Sequence, residues 1–260
     1  MKLFKLLGLF WSTSLAAEME YRSNFVMATL STLFGLGATL FALSLFYRRG
    51  ADLGGWSWLE ALLVLGMFTL LHGLSRTLFE PNLSRIVEHV RTGTLDFVLL
   101  KPIDSQLWLS TRRLSPWGVP DIVLGVGLIA YAATTLGLEP LSFLVALVPV
   151  ASSLTILYSI WFTVAATTIW YVKIYNITDV LQAWLDAGRY PIESFPPGVF
   201  RFIFTFVVPV AFLTTVPARA MLGHFEVRWL LYAVLLAAGL FVFSRVFWRF
   251  ALRFYTSASS

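Results

Sequence analysis

The sequence predicts an all-α integral membrane protein with six transmembrane helices. Apolar residues make up 58% of the 260 residues and charged residues only 13%, whereas soluble domains carry about 25% charged residues. The core of a large soluble helical protein would need more charged surface than this chain supplies. A bilayer core of roughly 30 Å needs about 20 apolar residues per helix. Runs of suitable length occur at approximately residues 25–47, 57–78, 120–138, 143–170, 200–217 and 228–248.

The first 24 residues predict an amphipathic helix that lies in the membrane interface. Polar Lys2, Lys5 and Ser12 lie opposite a set of apolar side chains that recur at helical spacing. The apolar set is Leu3, Leu6, Leu7, Phe10 and Trp11. A cleaved signal peptide is the alternative interpretation. Lys5 leaves only residues 6–11 as an uninterrupted apolar run, and this favours the interfacial helix.

The distribution of Lys and Arg predicts that both termini are cytoplasmic, because cytoplasmic loops of membrane proteins carry the excess of these residues. In that orientation fifteen of the nineteen basic residues lie on the cytoplasmic side. The remaining four are Arg48, Arg49, Arg219 and Arg228. Topology and anionic headgroups account for the net charge of +5. The sequence therefore predicts no nucleic-acid partner.

The connections between the predicted spans are uneven. Outer links at residues 48–56, around 139 and at 218–227 are short, whereas two cytoplasmic segments are long. The single transmembrane domain, 1–260, then divides into the interfacial helix 1–24, spans 25–78, cytoplasmic loop 79–119, spans 120–170, cytoplasmic loop 171–199, and spans with a short tail 200–260. Because the long connections are cytoplasmic, we expect function at that face.

The first cytoplasmic loop predicts two short elements joined at a glycine. Apolar residues recur as one face of a helix that begins near Pro81 and ends at Gly93. A second apolar patch follows, and Pro102 ends its element. The apolar residues are Leu83, Ile86, Val87 and Val90 in the first element and Leu95, Leu99 and Leu100 in the second. The loop either docks to a partner protein or only covers the membrane surface.

This loop resembles that of a known family. Glu88 is followed by Arg91-Thr92-Gly93-Thr94-Leu95-Asp96 and then by Leu99-Leu100-Lys101-Pro102. The pattern resembles the coupling-helix signature of ABC type-2 transporter permeases, and its spacing to the proline is similar to the branch with a GxLDxxLLxP loop. The segment Arg189–Gly223 resembles the same branch. With the six spans and the amphipathic start, the resemblance covers essentially the whole chain.

The resemblance implies a permease subunit of an ATP-driven ABC transporter, with an N-terminal elbow helix and a cytoplasmic coupling helix, in a bacterial plasma (inner) membrane. Its expected partners are two cytoplasmic ATPase subunits, a second permease that is identical or homologous, and membrane lipid. The chain contains no G-x-x-x-x-G-K-[ST] phosphate loop. ATP and Mg are therefore expected on the partner, and this chain is expected to be neither an enzyme nor a cofactor-binding protein.

The resemblance also implies which residues form the ATPase contact. The expected set is Ile86, Val87, Glu88, His89, Val90, Arg91, Gly93, Thr94, Leu95 and Asp96.

Two later features allow alternatives. Residues 177–185 carry apolar side chains at helical spacing, with Asn176 as an N-cap candidate. They fit either a second partner-facing helix or a membrane-surface anchor. The fifth predicted span contains Pro209 and ends at Pro217, so its helix is expected to kink or break. The resemblance implies an outer gate with re-entrant pieces from Pro209 to Gly223, and a kink that only improves packing is the alternative.

The spans offer few groups for catalysis or ion coupling. Glu60, His72, Asp121 and Lys173 lie near span ends, and the midplane is predicted to carry no charge. Cysteine, zinc motifs, nucleophile elbows and paired intramembrane carboxylates are absent from the sequence. The GVGLIA run at 125–130 mimics a dinucleotide fingerprint, but inside an apolar span it predicts close packing of small residues.

These observations leave three classes of function. An ABC permease, most naturally an exporter, needs no catalytic centre of its own. A secondary transporter would need a charged midplane site and broken helices in both halves. A membrane enzyme would need catalytic residues, and a scaffold would need none. The sequence favours the permease, and its 23 Phe and 10 Trp suggest an amphipathic or lipid-like cargo.

Overall fold

The chain folds into a bundle of long apolar helices. The computed structural model describes residues 8, 10–16, 22–50, 53–171, 182–183, 185–224 and 226–256. Five helices in this part of the chain are long and apolar enough to cross a membrane, and a bent pair of shorter helices raises the count to as many as six. The same ranges contain no strand, and an isolated bridge joins Leu53 and Trp56. The predicted all-α membrane fold is confirmed.

Within the described ranges, helical residues 10–16 precede eleven α-helices, which we number in chain order. These are α1 Arg22–Arg48, α2 Trp58–Leu74, α3 Glu80–Thr92, α4 Leu95–Leu99, α5 Ser105–Thr111, α6 Val119–Thr135, α7 Pro140–Ala166, α8 Val199–Phe202, α9 Val210–Leu213, α10 Thr215–Met221 and α11 Val227–Ala251. A π-turn at Ser75–Phe79 joins α2 and α3 into one continuous helix, and a second π-turn at Ile203–Val207 extends α8. The predicted spans 1 to 4 and 6 correspond to α1, α2, α6, α7 and α11.

The start of α2 is set by a capping box. The Ser57 hydroxyl accepts a hydrogen bond from the Glu60 amide at 3.4 Å, and the Glu60 carboxylate accepts one from the Ser57 amide at 2.7 Å. Both amides would otherwise lack partners at the helix N-terminus. The acidic residue near this span end therefore has a structural role.

Helices α2 and α6 pack backbone against backbone. A Cβ atom on Gly118 would lie 2.1 Å from the Gly73 carbonyl oxygen, and one on Gly125 would lie 2.5 Å from the Leu70 amide nitrogen. Gly66 faces the Gly125 carbonyl in the same way, at 3.2 Å. The predicted close packing of small residues in the 125–130 run is thus found at Gly125, whereas Gly127 has open space around it.

The two ends of the bundle are named here by the segments they carry. The proximal end carries α3, α4 and α5, and the distal end carries the link between α1 and α2. Helix α7 runs between them, since Ala146 packs in a cluster with Trp56, whereas Phe162 packs with Ile86 in another. Helix α1 is peripheral, because 17% of its most apolar stretch is buried inside the bundle, against 61% for the span that begins with α2.

The segment 171–199 does not lie at one end of the bundle, which corrects its prediction as a cytoplasmic loop. The ring of Trp170 packs against Phe247 of α11 at the proximal end, with 5.7 Å between centroids. At the other end of the segment, Glu193 accepts a hydrogen bond from the indole of Trp56 at 2.8 Å. The chain between these residues therefore passes from the proximal to the distal end. Residues 172–181 and 184 lie outside the described ranges, and with them most of the helix predicted at 177–185.

The segment predicted as the fifth span, 200–217, also needs correction. Its two helical pieces, Val199–Val207 and Val210–Met221, meet at a break of 56°. Arg201 near its start and Arg219 near its end both bond to Glu193. Both ends of this hairpin therefore lie at the distal end, and the hairpin is re-entrant. We call the connection from Trp170 to Glu193, which leads from the proximal to the distal end, the fifth crossing.

The polar side chains of residues 171–194 explain why hydropathy misplaced the fifth crossing. The mean hydropathy of this stretch is lowered by Asp186, Arg189 and Glu193, whereas residues 199–213 are almost wholly apolar.

The re-entrant hairpin places Arg201 at the distal end and not at the proximal end. The excess of basic residues at the proximal end persists.

Candidate functional site

The loop between α2 and α6 is built around a glycine turn. Helix α3 has Pro81 directly after the π-turn that joins it to α2, and it ends at Gly93. Gly93 has φ of 70°, the left-handed conformation that closes many helices and favours glycine. Side chains brace this turn, because Nδ1 of His89 lies 2.8 Å from the Thr94 hydroxyl, which lies 2.9 Å from that of Thr92.

The structure separates the expected contact residues into buried and exposed groups. Ile86 and Leu95 are fully buried and pack α3 and α4 onto the bundle together with Leu83 and Val98. Their side chains are therefore not on the loop surface, which corrects their expected place at a contact. Glu88 and Arg91 are exposed. The others, Val87, His89, Val90, Gly93, Thr94 and Asp96, are partly buried.

The most exposed apolar side chains of the loop are ones the expected set omitted. Phe97 is 68% exposed and Leu100 is 81% exposed. They are spaced i and i+3 around α4, on the side away from buried Leu95 and Val98. In the sequence LDFVLL, Leu95 and Val98 share one face of a helix and Phe97 and Leu100 share another, and this spacing could have predicted the exposed apolar pair. We call Phe97, Leu99 and Leu100 the apolar tip.

Hydrogen bonds tie the loop to α11 through three consecutive residues. Asp104 caps α5 by accepting from the Leu107 amide at 2.9 Å, and it pairs with Arg245 at 2.6 Å. The hydrogen bond from Arg245 lowers the pKa of the Asp104 carboxyl. The remaining bonds run from the Trp248 indole to the Ser105 hydroxyl at 3.0 Å and from the Gln106 amide to the Ser244 hydroxyl at 3.3 Å.

Both terminal regions of the described chain contact this loop. Tyr255 donates a hydrogen bond to the Gly93 carbonyl at 3.4 Å. The Trp11 indole donates to the Thr111 carbonyl at 3.0 Å, and Phe10 packs edge-on against Trp108 at 5.3 Å. The helical residues 10–16 thus lie against α5, while residues 1–7, 9 and 17–21 of the predicted interfacial helix fall outside the described ranges.

At the distal end, the two prolines expected at the gate have different roles. Pro209 stands at the break of the hairpin, immediately before α9. Pro217 does not end a helix, because it lies in the first turn of α10, where its missing amide costs no hydrogen bond. Both are buried.

Glu193 is the point at which the distal segments meet. One carboxylate oxygen accepts from the Trp56 indole at 2.8 Å and the other pairs with Arg219 at 2.8 Å. The backbone carbonyl of Glu193 accepts from Arg201 at 2.9 Å. Gly54 packs directly on it, since a Cβ there would lie 2.5 Å from the Glu193 Cβ. The link, the fifth crossing and the hairpin are therefore joined at one residue.

The described part of the chain brings no three His, Asp or Glu side chains together in a way that could hold a metal ion.

Comparison with known proteins adds one match. A family model described as ABC-2 family transporter protein matches residues 33–259, which is most of the chain. No curated protein and no solved structure matches the chain.

Proposed function

Because this chain belongs to the ABC-2 family of transporter proteins, we propose that it is a permease subunit of an ATP-driven exporter. In this proposal it pairs with a second permease, identical or homologous, and two cytoplasmic ATPase subunits supply ATP hydrolysis with Mg. The substrate path runs along the interface between the permeases. The chain itself performs no catalysis.

The observation that carries the proposal is the apolar tip. Phe97 and Leu100 are exposed at the proximal end, in the same loop as exposed Glu88 and Arg91. Exposed apolar side chains beside charged ones are typical of a protein-docking surface. The proximal end is also the one that charge distribution predicts to be cytoplasmic, where an ATPase would reside.

The bonds behind the tip supply a route for movement. When ATP draws the two ATPases together, they push the loop, and the bonds of Asp104, Ser105 and Gln106 carry that displacement to α11. At the distal end the hairpin then separates from the link between α1 and α2. An inward-facing cavity becomes an outward-open one by this sequence.

The experiment is copurification of the full chain with its ATPase from membranes. The partner is identified by mass spectrometry through its phosphate loop and by ATP hydrolysis. Joint substitution of Phe97→Ala and Leu100→Ala should reduce recovery of the ATPase by about ten-fold or more, because apolar anchors dominate such interfaces. Glu88→Ala with Arg91→Ala should reduce it less, since exposed charges contribute little.

Matched controls are available at the distal end. Val199→Ala with Phe200→Ala removes apolar side chains that are also more than half exposed, and Arg48→Ala with Arg49→Ala removes exposed charges. Neither should change recovery. If the Phe97 and Leu100 variant retains its ATPase and its stimulated hydrolysis, the apolar tip is not the docking surface.

A further inference from the structure

The loop between α2 and α6 and the re-entrant hairpin share one apolar cluster. Ile86 of the loop packs in it together with Phe212 and Leu213, which form the second half of α9. Farther along the hairpin, Met221 packs in the distal cluster that contains Trp56. The hairpin therefore reaches inward from the distal end to the core that holds the loop, and α9 is its inner end.

A hydroxyl on α7 bonds to the loop. The Tyr158 hydroxyl accepts a hydrogen bond from the Gln106 side-chain amide at 3.1 Å and lies 2.8 Å from the Ser110 hydroxyl. Both partners belong to α5. Gln106 is 2% exposed, and its amide nitrogen also donates to Ser244 of α11. Because a buried polar group is costly to leave without its partner, we expect α5 and α7 to move together at this point.

A second hydroxyl on α7 bonds to the hairpin. Ser153 is fully buried, and its Oγ atom lies 2.8 Å from the Phe212 carbonyl oxygen and 2.7 Å from that of Pro149 in its own helix. Helix α9 is a single turn, so its last carbonyls lack partners within the helix. The Ser153 hydroxyl supplies a donor to one of them. Helix α7 is thus bonded to the inner end of the hairpin.

The part of α7 between these two hydroxyls is unbroken helix. Ser153 and Tyr158 lie about 7.5 Å apart along its axis. Pro149, one turn before Ser153, lacks the amide that would bond to the carbonyl four residues back, so α7 bends most easily there. Residues 150–166 can therefore shift as one unit that carries both hydroxyls.

We propose that α7 connects the loop to the hairpin, with Tyr158 and Ser153 as the positioning residues at its two contacts. A displacement of α5 moves Tyr158, the helix moves Ser153 with it, and Ser153 shifts α9 at the inner end of the hairpin. The proposal rests on the proposed function, which supplies the force on the loop. It adds a second route beside α11 and ends that route at the hairpin.

The test is a double-mutant cycle read by hydrogen exchange of the purified full chain in detergent. Ser153→Ala should speed exchange in residues 210–216 by about five-fold, as expected for one lost hydrogen bond. Tyr158→Phe should speed exchange of the same amides by about two-fold or more, although its hydroxyl bonds to α5. The double variant should match Ser153→Ala alone, because without the Ser153 hydroxyl the change at Tyr158 no longer reaches α9.

Ser152→Ala and Ser159→Ala are the matched controls. Both are buried serines of α7 whose hydroxyls donate to carbonyls of α7 itself. Neither should change exchange in residues 210–216, and no variant of the cycle should change it in residues 58–66 of α2. Ser110→Ala removes one partner of the Tyr158 hydroxyl and should act in the same direction as Tyr158→Phe. It provides a second variant if Tyr158→Phe does not fold.

Additive effects of Tyr158→Phe and Ser153→Ala on the logarithm of the exchange rate would overturn the connection. Unchanged exchange of residues 210–216 in both Tyr158→Phe and Ser110→Ala would also overturn it. The cycle requires neither ATPase nor ATP. If no ATPase copurifies but the effects are not additive, the proposed permease function fails and the connection stands. If the ATPase copurifies and the effects add, the connection fails and the function stands.

Discussion

The two ends of the bundle are held together in different ways. At the proximal end, several side chains share the contact between the α3–α5 loop and α11, with Asp104, Ser105 and Gln106 each bonded to a different residue. At the distal end, three segments meet at the single residue Glu193. A distributed contact survives the loss of one bond, whereas a shared hub does not. The proximal end is thus suited to move as a unit with α11, and the distal end to open.

The largest expected effect comes from disrupting the contact between α2 and α6, the helices that connect the two ends of the bundle. Gly125→Val should destabilise the fold by about 3 kcal/mol, because its side chain would meet the α2 backbone at Leu70. Gly127→Val, two residues along the same helix, meets open space and should change stability little. Thermal unfolding of both variants in detergent measures the difference. Equal melting temperatures would show that α2 and α6 are not in backbone contact.

A smaller effect is expected at the distal hub. Glu193→Ala should cost about 1–2 kcal/mol, since Arg219 and the Trp56 indole lose their acceptor. Hydrogen exchange should also become faster in residues 199–221 and stay unchanged in residues 80–111. Glu226→Ala is the control, because its carboxylate pairs with exposed Arg228 at the same end. Faster exchange at both ends of the bundle would argue against a local hub.

The smallest effect is expected at the proximal end. Asp104→Asn should cost less than about 1 kcal/mol, because Asp104 and Arg245 are 41% and 31% exposed and solvent screens their pair. The pKa of Asp104 is lowered, chiefly by the Arg245 hydrogen bond. Its contribution is therefore complete above its ordinary pKa of about 3.9 and is lost as pH falls through the lower folded value.

Melting temperatures of wild type and Asp104→Asn across pH 3–8 check this. Their difference should be constant from about pH 5 to 8 and should shrink in acid. Asp104→Ala also loses the N-cap of α5 and should cost about 1 kcal/mol more at every pH. A difference between wild type and Asp104→Asn that changes between pH 6 and 8 would point to another titrating group.

The features predictable from sequence are those that local pattern determines. Continuous apolar runs predicted five of the long helices, and the position of Gly93 predicted the end of α3. Close packing at Gly125 followed from small residues in an apolar span. Each of these depends on neighbours in the chain.

The features that could not be predicted depend on distant segments. Which face of α3 and α4 is buried was decided by α7 and α11, so Ile86 and Leu95 face inward and Phe97 outward. The fifth crossing escaped because its polar groups find partners inside the bundle, Arg189 on Phe68 and Glu193 on Trp56. The average hydropathy of a segment gives no information about such pairings.

The contact between α2 and α6 has a consequence for the loop that joins them. The loop leaves the bundle after α2 and returns at α6, and Gly73 and Gly118 hold these two points backbone to backbone. Both anchors thus belong to one rigid body, so a force on Phe97 or Leu100 cannot be absorbed by spreading the anchors apart. The loop is fixed at both of its ends to the α2–α6 helix pair, so a force on the loop must rotate or translate these two helices together.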